Sequence, residues 1–303
     1  MAAQSSVESL ADALARRVVV LDGGLSTALT AAGHDLSDSL WSARLLAADP
    51  DAITAAHLAY YRAGAEVAIT ASYQATVEGF ARRGLDAART ADLWRDSVTL
   101  ARRAASEVDG RRWVAASVGP YGAMLADGSE YRGRYGLAPG ALESFHRPRI
   151  EVLAEAGADV LAVETIPDVE EAEAVLRVVA GSGVPLWLSY SARGTRTCAG
   201  QPLTEAFEAV RGVAEVIAVG VNCCDPADVA EAVAIARRVT GKPVVVYPNS
   251  GEIWDATTRS WTGSPAFEPA RVAGWVEGGA RLVGGCCQVG PGTIAELAAA
   301  VRG

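Results

Sequence analysis

Eight times along this chain a short apolar run stops at glycine, proline or polar residues, and helical spacing follows. The runs are residues 17–22, 66–70, 113–118, 160–164, 185–190, 216–221, 243–247 and 280–283. Helical sequence lies between them, over 26–32, 50–63, 87–108, 141–156, 169–180, 203–214, 226–238, 269–278 and 293–301. Short apolar runs alternating with helices need right-handed crossovers, and these make a parallel sheet. Eight such units in 303 residues predict an α/β fold, a closed (β/α)8 TIM barrel. An open doubly wound sheet is the competing arrangement, but no GxGxxG follows the first run.

Local signals set the punctuation. Asp49 before Pro50 caps a helix that Gly64 ends, and Asp168 and Asp225 cap two more. Pro148 is expected to kink or split the helix around it. Two stretches, 124–140 and 252–267, are polar or aromatic without a period and read as lid or binding loops. No linker-like composition divides the chain. Residues 1–303 therefore read as a single domain, with 1–15 as a helical or flexible N-terminal extension.

A net charge of −9 argues against nucleic acid and anionic membranes as partners. No apolar run approaches the ~20 residues of a membrane span, and the N-terminus does not read as a signal peptide. Five cysteines, an odd number, do not make a secreted disulfide framework, and a cytoplasmic location is expected. Lys242 is the sole lysine, so no other position offers a Schiff-base amine.

Barrel enzymes build their sites on the loops after the strands. There the sequence places Asp22, Thr70, Tyr73, Gln74, Glu164, Asn222, Cys223, Cys224, Tyr247, Asn249, Cys286 and Cys287. Four of the five cysteines fall at two strand ends, in Gly220-Val221-Asn222-Cys223-Cys224 and Gly284-Gly285-Cys286-Cys287. Three converging thiolates suit Zn²⁺ and leave a fourth position for water or substrate. Small buried residues or a redox disulfide are the other readings of the same pairs. Gly284, Gly285 and Gly290 are expected to let the chain turn around the pair. A thiolate-rich zinc is a poor source of hydroxide but well suited to holding a substrate thiol as thiolate, which points to thiol alkylation. Zinc hydrolases use His or carboxylate ligands, and His34, His57 and His146 do not fall at strand ends.

These motifs, with Asp22-Gly23-Gly24, Gly119-Pro120-Tyr121-Gly122, Val163-Glu164-Thr165 and Tyr247-Pro248-Asn249-Ser250-Gly251, resemble the homocysteine S-methyltransferase family over residues 17–301. The resemblance implies a zinc-dependent barrel enzyme that methylates L-homocysteine to methionine, with Cys223, Cys286 and Cys287 as metal ligands. It also implies that Asp22, Gly23 and Glu164 bind the amino-acid part of homocysteine. Carboxylates suit the ammonium, and glycine N–H groups suit the carboxylate. Thr70, Asn222, Tyr247 and Asn249 complete the expected substrate-binding set. Cys224 and Cys198 stay outside the ligand set.

The loop Gly128-Ser129-Glu130-Tyr131-Arg132-Gly133 looks like that of the branch using sulfonium donors. S-methylmethionine is the favoured donor and S-adenosylmethionine the second; there is no room for cobalamin modules. No long arm of the kind seen in the betaine-using enzymes follows Cys287. Tyr73, Tyr121, Tyr131 and Trp254 are the candidate aromatic faces for a cationic donor. Betaine-dependent or selenocysteine methylation, or a non-catalytic zinc or redox thiol protein, are the alternatives. The expected partners are small molecules, in a monomer or small homo-oligomer.

Overall fold

The computed structural model describes residues 8–38, 40–255 and 260–302. All eight apolar runs form strands: β1 (Val19–Val20), β2 (Val67–Ile69), β3 (Trp113–Val118), β4 (Val160–Ile166), β5 (Leu186–Arg193), β6 (Val216–Asn222), β7 (Val244–Tyr247) and β8 (Ala280–Val283). Each pairs in parallel with its neighbours, in the order β1-β8-β7-β6-β5-β4-β3-β2. A parallel bridge from Leu21 to Val67 joins β1 to β2 and closes the ring. An open sheet would leave that seam unpaired, so the barrel is the arrangement adopted.

The strands divide their side chains by the two-residue period of the pleat. Val19, Leu21, Val67, Trp113, Ala115, Val160, Ala162, Trp187, Ala218, Val245 and Leu282 fill the barrel interior. The intervening Val20, Val114, Ala116, Leu161, Val163, Leu188, Val219, Val244 and Val246 pack outward against the helices. Helix α1 (Leu10–Arg16) adds Leu10, Ala13 and Leu14 to the interior cluster. Burying each of those leucines contributes about 2 kcal/mol, and Ser9 with Asp12 forms a capping box that fixes the start of the helix. Residues 1–7 of the expected extension lie outside the described residues.

Continued inward, the same parity places Ser117, Glu164, Ser189, Asn222 and Tyr247 beyond the apolar layers, where the interior opens to the strand-exit loops. All five are buried. The apolar interior thus gives way to a polar end.

Three expectations need correction. Pro148 does not split its helix, which runs from Pro139 to Glu155. Pro148 and Ser144, whose carbonyl loses its partner, are both exposed, so the missing bond falls on the solvent side of the helix and costs little. The stretch 124–140 is not irregular throughout: a helix covers Tyr121–Leu125 and a 3₁₀ turn covers Ser129–Tyr131. Within 252–267, Ile253–Asp255 pairs antiparallel with Ser260–Thr262. Short helices at Ala43–Ala48 and Val77–Ala81 have too few turns to show a period in the sequence. Among the described residues no helix is long and apolar enough to cross a membrane.

Candidate active site

The Cys223, Cys286 and Cys287 sulfurs lie within 4.8 Å of one another, the one cluster of its kind among the described residues. Cys286 Sγ and Cys287 Sγ are 3.9 Å apart. Zn–S bonds of ~2.3 Å in a tetrahedron place sulfurs ~3.8 Å apart. The three thiols therefore fit a thiolate metal site with one position open. The donor set is soft, which suits zinc among the common divalent ions.

Backbone geometry brings the sulfurs together. Cys223 follows the last residue of β6 in a left-handed conformation, with φ at 47°. This turn re-aims its side chain and costs on the order of 1 kcal/mol for a non-glycine residue. The Cys286-Cys287 turn is bound to the loop after β7. Cys286 N–H donates to Pro248 O at 2.7 Å, Cys287 N–H to Asn249 Oδ1 at 3.2 Å, and Ser250 N–H to Cys287 O at 2.9 Å. The expected role of the glycines changes in detail. Gly284, Gly285 and Gly290 have no positive φ; close approach is what the first two need. A Cβ on Gly284 would lie 2.5 Å from Leu21 Cβ, and one on Gly285 would collide with the Val289 side chain. Gly290 has nothing closer than Thr27 Cγ2 at 4.0 Å.

Donation from Cys286 and Cys287, with Thr165 and Tyr131 behind them, holds the Cys223 thiol well below the ordinary thiol range. Donating to Cys223 holds Cys286 and Cys287 above it. Cys224 is buried in the outer core, and burial pushes its thiol up. Cys198 is half-buried and does not line the cavity.

The cluster opens into an inner cavity of about 110 Å³ that Gly23, Thr70, Tyr73, Glu164, Thr165 and Tyr247 also line. Ser117 Oγ donates to Glu164 Oε1 at 2.5 Å. Burial first, and the charge of Cys223 after it, raise the Glu164 carboxyl to about 7. Tyr247 is set from behind: its hydroxyl accepts from Trp187 Nε1 at 3.1 Å and pairs with Ser189 Oγ at 2.7 Å. Asp22 takes the Ile69 N–H on Oδ2 at 2.8 Å, while its buried Oδ1 has no partner. Burial drives its carboxyl well up, and the nearby Glu164 charge adds to this.

Of the residues chosen from the sequence, the structure brings Gly23, Thr70, Glu164, Tyr247, Cys223, Cys286 and Cys287 to the cavity wall. Asp22, Asn222 and Asn249 are not on that wall. Asp22 falls on the opposite parity from Leu21 and Gly23, across the β1–β2 seam. Asn222 and Asn249 are engaged with Thr165 and the Cys287 N–H. Of the aromatic candidates, Tyr73 and Tyr131 line the cavity. Tyr121 instead packs on Tyr135 and Phe145, with ring centroids at 5.2 and 5.0 Å. The Trp254 side chain lies outside the described residues.

Sequence reasoning missed Trp41, Glu130 and Thr165 as cavity-lining residues. Thr165 had a signal in standing directly after Glu164, and Glu130 in belonging to the loop 128–133 read as a binding loop; Trp41 had none. A second cavity, about 730 Å³, adjoins the first and shares Ser26, Trp41, Gln74, Glu130 and Cys287 with it. The segment carrying Glu130 is held firmly. Ser191 Oγ donates to Glu130 O at 3.2 Å, Arg134 N–H to Asp168 Oδ2 at 2.9 Å, and Tyr121 N–H to buried Glu171 at 2.6 Å.

Comparison with known proteins agrees with this geometry. The family model described as homocysteine S-methyltransferase matches residues 19–301. Homocysteine S-methyltransferase YbgG of Bacillus subtilis (strain 168) is 43% identical over 298 residues, covering 94% of this chain and 95% of that protein. The homocysteine S-methyltransferase of Escherichia coli (strain K12) is 45% identical, covering 93% of this chain and 94% of that one. The crystal structure of the Escherichia coli homocysteine methyltransferase MmuM in its metallated form superposes with a TM-score of 0.85 at 43% identity, covering 94% of this chain and 96% of the other. With the match extending over nearly its whole length, this chain belongs to the homocysteine S-methyltransferase family.

Proposed function

We propose that this protein transfers a methyl group from a sulfonium donor to the thiol of L-homocysteine, forming methionine, with zinc as its metal. The convergence of three cysteine sulfurs at the polar end of the barrel, open to a cavity lined by Glu164, carries the reading. Zinc held by Cys223, Cys286 and Cys287 would keep a substrate thiol ionised at neutral pH, where a free thiol with pKa near ~8.5 is mostly protonated.

The chain's own groups bind and orient. A substrate ammonium held at Glu164 would offset the cost of that buried carboxylate, and it would also be within electrostatic reach of Asp22, whose Oδ1 has no partner. Gly24 N–H is engaged by Val289 O at 3.0 Å, which leaves the Gly23 N–H to meet the substrate carboxylate. Asn222 and Asn249 act through Thr165 and Cys287 rather than by contact with substrate. The substrate sulfur attacks the donor methyl in line. One C–S bond forms as another breaks, and the donor sulfur leaves with the electron pair as a neutral thioether. No side chain has to move a proton in that step. Positioning is the main contribution of the protein.

S-methylmethionine is the favoured donor, S-adenosylmethionine the second. The absence of a disulfide among the described cysteines supports a reducing compartment, the cytoplasm, as the proposed location. The test is methionine formation from homocysteine with each sulfonium donor and with betaine, before and after chelation, alongside elemental analysis of the protein. Bound zinc with no methionine from any donor would overturn the proposal.

A further inference from the structure

The larger, outer cavity has no role in the reading so far. Among the described residues its lining includes no arginine or lysine, but it does include Asp35, Asp38, Asp127 and Glu130. The first three sit at its rim, where Asp38 pairs with Arg83 and Asp127 lies 3.7 Å from Arg132. Glu130 differs from them. It is 9% exposed, and its Oε2 is buried without a hydrogen-bond partner. A carboxylate oxygen taken out of water and left unpaired is costly unless something else completes it. It stands where the two cavities meet, within electrostatic reach of Cys223 and Cys287. Trp41 and Trp261 form walls of the same space, and indole faces favour cations.

We infer that the outer cavity is the methyl-donor subsite, and that Glu130 holds the positive charge of a sulfonium amino acid there. The inference rests on the proposed methyl transfer and adds the place and the contact for the second substrate. The volume of about 730 Å³ is within the range of small-molecule sites. The donor enters through the outer cavity, and its methyl reaches the inner one past Glu130. The position also has a kinetic consequence. Thiolate and sulfonium lose their opposite charges as the methyl moves, so a carboxylate beside the donor binds the ground state at least as well as the transition state. Glu130 therefore acts on donor KM and not on kcat.

The experiment compares wild type, Glu130→Gln and Glu130→Asp, all zinc-loaded, with S-methylmethionine and homocysteine varied in turn. Glu130→Gln should raise donor KM about tenfold or more, with kcat within about threefold and homocysteine KM and zinc content unchanged. Glu130→Asp, which keeps the charge, should fall between the two. Calorimetric titration of S-methylmethionine without homocysteine should show the same weakening in Glu130→Gln. Turnover is not needed for that measurement, so it separates failure of this inference from failure of the proposed reaction. Unchanged donor affinity in Glu130→Gln would overturn the assignment. So would a rise confined to homocysteine KM, or a fall in kcat at constant donor KM.

Discussion

Asn222 holds Thr165 at two points: its Nδ2 donates to Thr165 Oγ1 at 2.7 Å, and its Oδ1 accepts the Thr165 N–H at 2.8 Å. Thr165 is β-branched yet left-handed, with φ at 58°, a conformation that persists only where neighbours over-determine it. Its hydroxyl lies beside Tyr73 and Cys223, with one proton that either could accept. The amide at the end of β6 thus shapes the cavity through a residue on the loop after β4. Asn222→Asp, which removes the donor, should lower stability by about 1–3 kcal/mol. In a double-mutant cycle with Thr165→Ala, urea unfolding should give a coupling of about 1 kcal/mol or more. Additive effects would mean the clamp is not energetically real.

Cys223→Ser and Cys286→Ser should each lose bound metal and methionine formation together, read by elemental analysis and by activity on the same samples. Cys224→Ala and Cys198→Ser should keep both. Cys224 is packed in the outer core, and Cys198 lies off the cavity. Metal retained in Cys223→Ser but lost in Cys224→Ala would reverse the assignment within that pair.

Two glycines in one turn should respond differently to the same change. Gly284→Ala puts a Cβ 2.5 Å from Leu21 Cβ and 2.7 Å from Asp22 O, both rigid, so the turn carrying Cys286 and Cys287 must shift. A destabilisation of about 1–3 kcal/mol is expected, with metal affinity reduced in competition with a chelator. Gly290→Ala meets nothing closer than 4.0 Å and should leave both unchanged.

His57 governs part of the acid limb of stability. It is fully buried, neither ring nitrogen has a partner, and burial holds its pKa down at about 4. The unfolded chain binds this proton near its ordinary value of ~6.5, before the folded state does, so stability falls as pH drops from there toward 4. The loss should reach on the order of 3 kcal/mol at pH 4. His57→Leu should remove this part of the slope, seen as a smaller change in urea midpoint between pH 7 and pH 5 than in wild type. Parallel slopes in the two proteins would rule His57 out as the source.

The order of strands and helices was legible because each strand is a short, largely apolar run and each long helix shows its own period or cap. The Asp49 cap at the start of Pro50–Arg62 and the left-handed Gly64 beyond it are local chemistry, and the structure keeps both. The cysteine pairs were legible for a related reason. A barrel brings all strand exits to one end, so residues at two exits are neighbours however far apart in the chain. What sequence did not show is which side chains turn inward once the strands end. Asp22 and Gly23 are adjacent, yet parity carries Gly23 to the cavity and Asp22 to the seam. Cys223 faces the other two sulfurs because of one left-handed residue, and Cys224 faces the core.

Glu130 shows the limit most plainly. Its segment has no period, and its backbone is fixed by Ser191, with Asp168 and Glu171 bracing the residues on either side. Those partners come from separate parts of the barrel. By itself, the sequence determined an eightfold α/β barrel with a cluster of cysteines at its strand exits. The closing of the ring decided which oxygen atoms are buried without partners beside that cluster, because such burial depends on every element around it at once.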